Sequence, residues 1–168
     1  RLRAVPGRPP LRALFDGPPT PHTAPPPRTH RRSFYVATDG SYRSDGGGLG
    51  AVIETRDGTR VARIAHHDAA PDNNVAEYRA LHLGLDVLAA RAPPEARVGV
   101  LVDHDDLAAN VTRAVLATGD AGTDWRPDPG PTASVPAGSD LHWRGIRARI
   151  AGFGALRAAR IDSRENPA

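Results

Sequence analysis

Apolar residues along this chain fall into blocks of two kinds, short runs of strand length and longer runs with helical spacing. SFYVATD (33–39) is the first short run, and Leu49 to Thr55 is the second, after the glycines at 46–48. Arg56-Asp57-Gly58-Thr59 then supplies the Asp-Gly pair that favours a tight hairpin, and Thr59 to His67 continues as a third strand. These three strands are predicted to be antiparallel. Behind Asp72-Asn73-Asn74, which can cap a helix, Ala80, Leu81, Leu83, Leu85, Val87 and Leu88 fall on one broad face. Pro93-Pro94 ends that helix. RVGVLVD (97–103) is almost wholly apolar, as expected of a central strand buried on both sides. A helix from about Asp105 to Leu116, a Gly/Pro/Asp/Ser/Thr-rich loop over 118–139, a helix from Asp140 to about Phe153 and a short strand near Ala155–Asp162 complete the chain. The order β-β-β-α-β-α-α-β implies an α/β domain with a mixed sheet and helices on both faces.

Composition divides the chain unevenly. All 22 basic residues are arginine, and seven of them lie in residues 1–32 beside a single acid, Asp16, whereas the remainder is slightly acidic. The same 32 residues carry nine of the 17 prolines. Proline fixes φ and removes a donor, so this segment is predicted to be an extended, mobile tail with an apolar anchor at Leu11-Arg12-Ala13-Leu14-Phe15, and residues 33–168 to form the folded domain. Two readings fit the tail: a solvated linker, or an arginine arm that grips phosphates by counterion release. The absence of cysteine excludes disulfides, thiolate metal sites and a cysteine nucleophile. No apolar run approaches the ~20 residues that span a bilayer, and nothing resembles a signal peptide, so the expectation is a soluble, cytoplasmic protein without a membrane partner. A monomer is expected as well. The chain begins at Arg1 and contains no methionine, which suggests trimming at its start.

Two strands, 33–39 and 97–103, both end in aspartate. Side by side and parallel, their carboxyl ends would stand ~4.8 Å apart, at the end of the sheet where open α/β folds bind ligands. Asp39 and Asp103 would then repel one another unless a cation intervened. Oxygen ligands without histidine or cysteine suit Mg²⁺, with Mn²⁺ as a substitute, rather than zinc. Glu77, at the start of the first long helix, has two readings. In Asn74-Val75-Ala76-Glu77 it fits a capping box worth about 1 kcal/mol; alternatively it is a third carboxylate of the same cluster.

TDGS (38–41) followed by GGGLGAVI, NNVAEYRAL (73–81) and VLVDHDDL (100–107) together resemble type 1 ribonuclease H, in order, spacing and placement on strand, helix and strand. The resemblance covers about residues 33–166. It implies a five-stranded mixed sheet whose first and fourth strands are neighbours, with Asp39, Glu77 and Asp103 as catalytic, metal-binding carboxylates. Such enzymes cleave the RNA strand of RNA–DNA hybrids using two Mg²⁺ ions ~3.5–4 Å apart. By the same matching Asn73 and Asn74 contact substrate, Asn73 near the RNA 2′-hydroxyl, and Gly40 and Ser41 let the nucleic-acid backbone come close. RNA–DNA junctions are a further substrate it suggests.

The chain departs from that family in two places. A fourth metal-site residue is expected soon after Arg164-Glu165-Asn166-Pro167-Ala168, where the sequence stops. The loop 118–139 carries Asp120, Asp124 and Asp128 against Arg126 alone, so it cannot act as a basic clamp on the hybrid. The tail, with Arg31 and Arg32 nearest the domain, is the alternative source of positive charge. His104, beside Asp103, is a candidate for proton transfer or simply a helix-start residue. His66 and His67 are strand neighbours that point to opposite faces and so do not form a joint site. Trp143 reads as core packing rather than a base-stacking platform. Two functions of other kinds compete: a hybrid-binding module with weak or no catalysis, and another nuclease or strand-transfer enzyme on the same fold. The NN-x-x-E placement at 73–77 favours the ribonuclease.

Overall fold

The computed structural model describes residues 8–17, 32–42, 44, 46–117 and 135–168. Strand β1 (Phe34–Ser41) pairs antiparallel with β2 (Gly47–Thr55), and β2 pairs antiparallel with β3 (Arg60–Asp68). On its other side β1 runs parallel to β4 (Arg97–Val102), which runs parallel to β5 (Ala155–Arg160). The sheet order is β3-β2-β1-β4-β5. The helices are α1 (Leu11–Phe15), α2 (Asn73–Arg91), α3 (Asp105–Ala117) and α4 (Asp140–Gly152). The mixed sheet and its neighbouring first and fourth strands are therefore as predicted.

Alternation along the central strands sends side chains to two separate cores. Val36, Ile53, Val98, Val100, Val102, Leu156 and Ala158 meet Tyr78, Leu81, Leu85 and Leu88 of α2, Leu107 and Val111 of α3, and Ile146 and Ile150 of α4. Tyr35, Ala37, Val52, Leu101, Ala159 and Ile161 face the opposite way and meet Leu11 and Phe15 of α1. The anchor read in LRALF is thus a turn of helix that covers the second face of the sheet. Its Leu11 N–H donates to Glu54 Oε1 at 2.9 Å, and the Phe15 ring stands edge-on to Tyr35 with centroids 5.5 Å apart. Gly99 makes the room, since a Cβ there would press into both rings. Each of the two buried anchors removes enough apolar area to contribute about 2 kcal/mol.

Three local expectations need correction. β1 does not stop at Asp39 but continues to Ser41, because Gly48, Leu49 and Gly50 of β2 carry the antiparallel ladder past the point where the pairing with β4 ends. On α2, Leu83 and Val87 are only half-buried; Val75, Ala76, Tyr78 and Gly84 join the buried face instead. The cap of α2 is Asp72, whose Oδ1 accepts from Val75 N at 2.9 Å, so Asn74 lies inside the first turn and Glu77 is no part of a capping box. The Asp57-Gly58 hairpin is as expected, with Gly58 at φ +85° and Asp57 Oδ1 accepting from Thr59 N at 3.1 Å. Most of the 118–139 loop, residues 118–134, lies outside the described residues, as does most of the tail. Among the described residues no helix is long and apolar enough to cross a membrane.

Candidate active site

Parallel pairing of β1 with β4 sets Ala37 opposite Leu101, so two residues further on Asp39 and Asp103 come level at the same sheet end. Asp72 starts α2 over this end, and the opening turns of that helix bring Glu77 down onto the two aspartates. The approach depends on Gly40: a Cβ there would collide with the Ala76 carbonyl and the Glu77 amide. One carboxylate oxygen from each of Asp39, Glu77 and Asp103 lies within 4.8 Å of the others. The three acids the sequence singled out are far apart in the chain and adjacent in space.

Their electrostatics follow from crowding. Burial first, then the charges of Asp103 and Asp39, push the Glu77 pKa up to about 10. Burial, and next the charge of Asp103, also raise the pKa of Asp39. Without a cation, then, Glu77 holds a proton that it shares with Asp39. Glu77 is 6% exposed, and its Oε2 has no hydrogen-bond partner. An orphaned buried oxygen beside two further carboxylates is an all-oxygen donor set, compatible with a hard divalent cation.

The remaining predicted residues frame this cluster. Asn73 Oδ1 accepts from Tyr42 N at 2.6 Å, tying the start of α2 to the end of β1. Ser41 Oγ accepts from Gly48 N at 3.3 Å and so braces the β1–β2 hairpin. His104 has both ring nitrogens engaged. Its Nδ1 accepts from Leu107 N at 3.1 Å, which places the proton on Nε2, and Nε2 donates to Asn74 Oδ1 at 2.8 Å. The ring therefore caps α3 and straps it to α2. Arg32 is not at the cluster: it is 2% exposed, with its guanidinium 5.8 Å above the Phe15 ring. Arg31 lies outside the described residues. Trp143 packs on the core, edge-on to Tyr78 at 6.0 Å.

One interaction at the cluster was not anticipated. Asn166 Nδ2 donates to Asp103 Oδ2 at 3.2 Å and to the Thr38 carbonyl at 3.0 Å, and its Oδ1 accepts from Ala168 N at 3.1 Å. Its amide spans the ends of β1 and β4 and holds one oxygen of Asp103 in place. No local pattern announces this, because Asn166 is separated from Asp103 by 63 residues.

Comparison with solved structures shows an RNase H-like fold. The N-terminal RNase H domain of Rv2228c from Mycobacterium tuberculosis superposes with a TM-score of 0.58 at 23% identity, over 81% of this chain and 86% of that one. RNase H1 of the archaeon Halobacterium salinarum gives 0.52 at 22%, over 78% and 86%. LC11-RNase H1, isolated from compost by a metagenomic approach and solved with an RNA/DNA hybrid, gives 0.56 at 21%, over 80% and 88%. No protein-family model and no curated protein sequence matches the chain.

Proposed function

We propose that this chain is a metal-dependent endoribonuclease that cuts the RNA strand of RNA–DNA hybrids, and of RNA–DNA junctions, acting as a monomer in the cytoplasm. The observation that carries the reading is the convergence of Asp39, Glu77 and Asp103 within 4.8 Å at one end of an RNase H-like sheet. Two of the similar structures are RNase H1 enzymes, one of them solved on a hybrid, and this supports the same substrate here.

In this reading Asp39, Glu77 and Asp103 hold Mg²⁺, with Mn²⁺ as a substitute. When bound, the metal supplies a water acidic enough to attack at neutral pH and a counter-charge for the departing 3′ oxygen. The chain's own residues do the rest. β1 and β4 fix the two aspartates on rigid supports, and Asn166 keeps one Asp103 oxygen from turning. Glu77 would give up its proton to a bound cation, whose positive charge favours the carboxylate against the burial and the neighbouring charges that raise its pKa. Asn73, held through its Oδ1 by Tyr42 N, keeps its amide nitrogen as a donor for a ribose 2′-hydroxyl, the group that separates RNA from DNA. Gly40 and Ser41 leave the rim low enough for a sugar-phosphate backbone to pass.

The test is cleavage of an end-labelled RNA–DNA hybrid in Mg²⁺ and in EDTA, beside a junction substrate, duplex DNA and duplex RNA. Metal-dependent cutting within the RNA of the hybrid is the expected result. Binding of the hybrid without cutting would replace the proposal with a hybrid-binding module, and cutting of duplex DNA would point to another nuclease on this fold.

A further inference from the structure

Three of the chain's seven histidines face one cavity away from the carboxylate cluster. It has a volume of about 290 Å³ and is lined by His66 and Asp68 of β3, His82 and Asp86 of α2, and His142 of α4. The Nδ1 atoms of His82 and His142 stand 3.0 Å apart. On the far side of its ring, His82 Nε2 lies 3.4 Å from Asp86 Oδ2, and Asp86 Oδ1 accepts from Arg149 Nε at 2.8 Å.

A histidine that binds a metal through one ring nitrogen commonly gives the proton on its other nitrogen to a carboxylate, which fixes its tautomer and raises its basicity. His82 has a carboxylate placed for this, with Asp86 Oδ2 3.4 Å from its Nε2. A neutral ring carrying its proton on Nε2 would turn the Nδ1 lone pair toward His142. Two nitrogens at ~2.0–2.1 Å from a tetrahedral ion stand about 3.3 Å apart, so the observed 3.0 Å requires only a slight opening. Burial, then the neighbouring His82 and Arg79, lower the His142 pKa and favour its neutral, ligating form. A neutral His142 carrying its proton on Nε2 would offer the second Nδ1 lone pair.

We propose that this cavity is a second cation site, one that takes a transition-metal ion of the Zn²⁺ class through His82 Nδ1 and His142 Nδ1, with water completing the shell. Its chemistry separates it from the carboxylate cluster, since imidazole favours zinc, nickel or copper where carboxylate oxygen favours magnesium. Among the described residues three donors meet at one point only at Asp39, Glu77 and Asp103. The histidine site therefore relies on two protein ligands; His66 faces its open side, and Asp68 there is ion-paired at 3.0 Å with Arg79, which also lines the cavity. An ion here would clamp α4 to α2 and so brace the helix that carries Glu77.

The site is tested by Zn²⁺ calorimetry on the chain with Asp39→Asn and Asp103→Asn, which silences the carboxylate cluster. One Zn²⁺ per chain in the micromolar range is expected, unaffected by millimolar Mg²⁺. His82→Gln and His142→Gln should each weaken it at least tenfold, and Asp86→Asn by about tenfold through loss of the orienting carboxylate. Zn²⁺ binding that ignores both histidine substitutions, or no binding at all, overturns the proposal. A second measurement needs no change at the cavity: Co²⁺ added to the same double variant should shift and broaden the imidazole proton resonances of His82 and His142. Paramagnetic effects that spare both rings would count against it.

Discussion

At the scale of single residues the candidate site is an electrostatic problem that a cation solves. Asp39→Asn or Asp103→Asn should lower hybrid cleavage at least about a hundredfold while leaving the circular dichroism spectrum unchanged; near-normal rates would remove these acids from the chemistry. Glu77 provides a test that needs no substrate. Its pKa is raised from 4.5 to about 10, so the metal-free folded protein keeps a proton that the unfolded chain releases. A group that binds its proton more tightly when folded stabilises the fold below its unfolded pKa and loses that contribution as pH rises toward the folded value. In EDTA, Glu77→Gln should therefore gain thermal stability over the parent as pH rises from about 5 to about 9, and Mg²⁺ should close the gap. A difference in Tm that does not change with pH would show that Glu77 is ionised without metal.

At the scale of elements, the strands and helices were legible because each signal was local: alternation or apolar runs for the strands, helical spacing for α2, α3 and α4, and Asp-Gly for the hairpin. The acids of the site were legible for a different reason, as three motifs in one order. What could not be read was how elements meet. Asp72 rather than Asn74 caps α2, a small shift in register that decides whether Glu77 caps a helix or enters the cluster. Asn166 and the His82–His142 pair join segments 60 or more residues apart and carry no mark in the local sequence. Gly40 is the position where β1 and α2 are pressed together. Gly40→Ala should force α2 away from β1 and cost hybrid cleavage about tenfold or more, with only a modest fall in Tm. Full activity in that variant would mean the approach of Glu77 is less constrained than the backbone packing against Ala76 indicates.

At the scale of the whole molecule, the anchor and the arginines of the basic segment call for separate tests. Leu11 and Phe15 belong to the core of the sheet's second face, so removing all of residues 1–32 would confound charge with folding. Replacing Arg1, Arg3, Arg8 and Arg28 by serine changes the charge and spares α1. If these arginines hold phosphates, hybrid affinity should fall and the slope of log K against log salt should flatten by about 0.9 for each phosphate no longer neutralised; an unchanged slope would leave them as a linker. Phe15→Ala, by contrast, should lower stability by about 3 kcal/mol in denaturant unfolding, with little effect on salt dependence. A single turn of helix is too short to persist in isolation. Its hold on the sheet rests on being tethered, which presents it at an effective concentration in the millimolar range. A single proteolytic nick between residues 18 and 31 would leave Leu11, Phe15 and the sheet chemically untouched, yet it would turn that docking into an encounter between two separate molecules. At the dilutions of an assay the short helical cap would drift off, and Tyr35 and Leu101 would be left facing water on an otherwise intact domain.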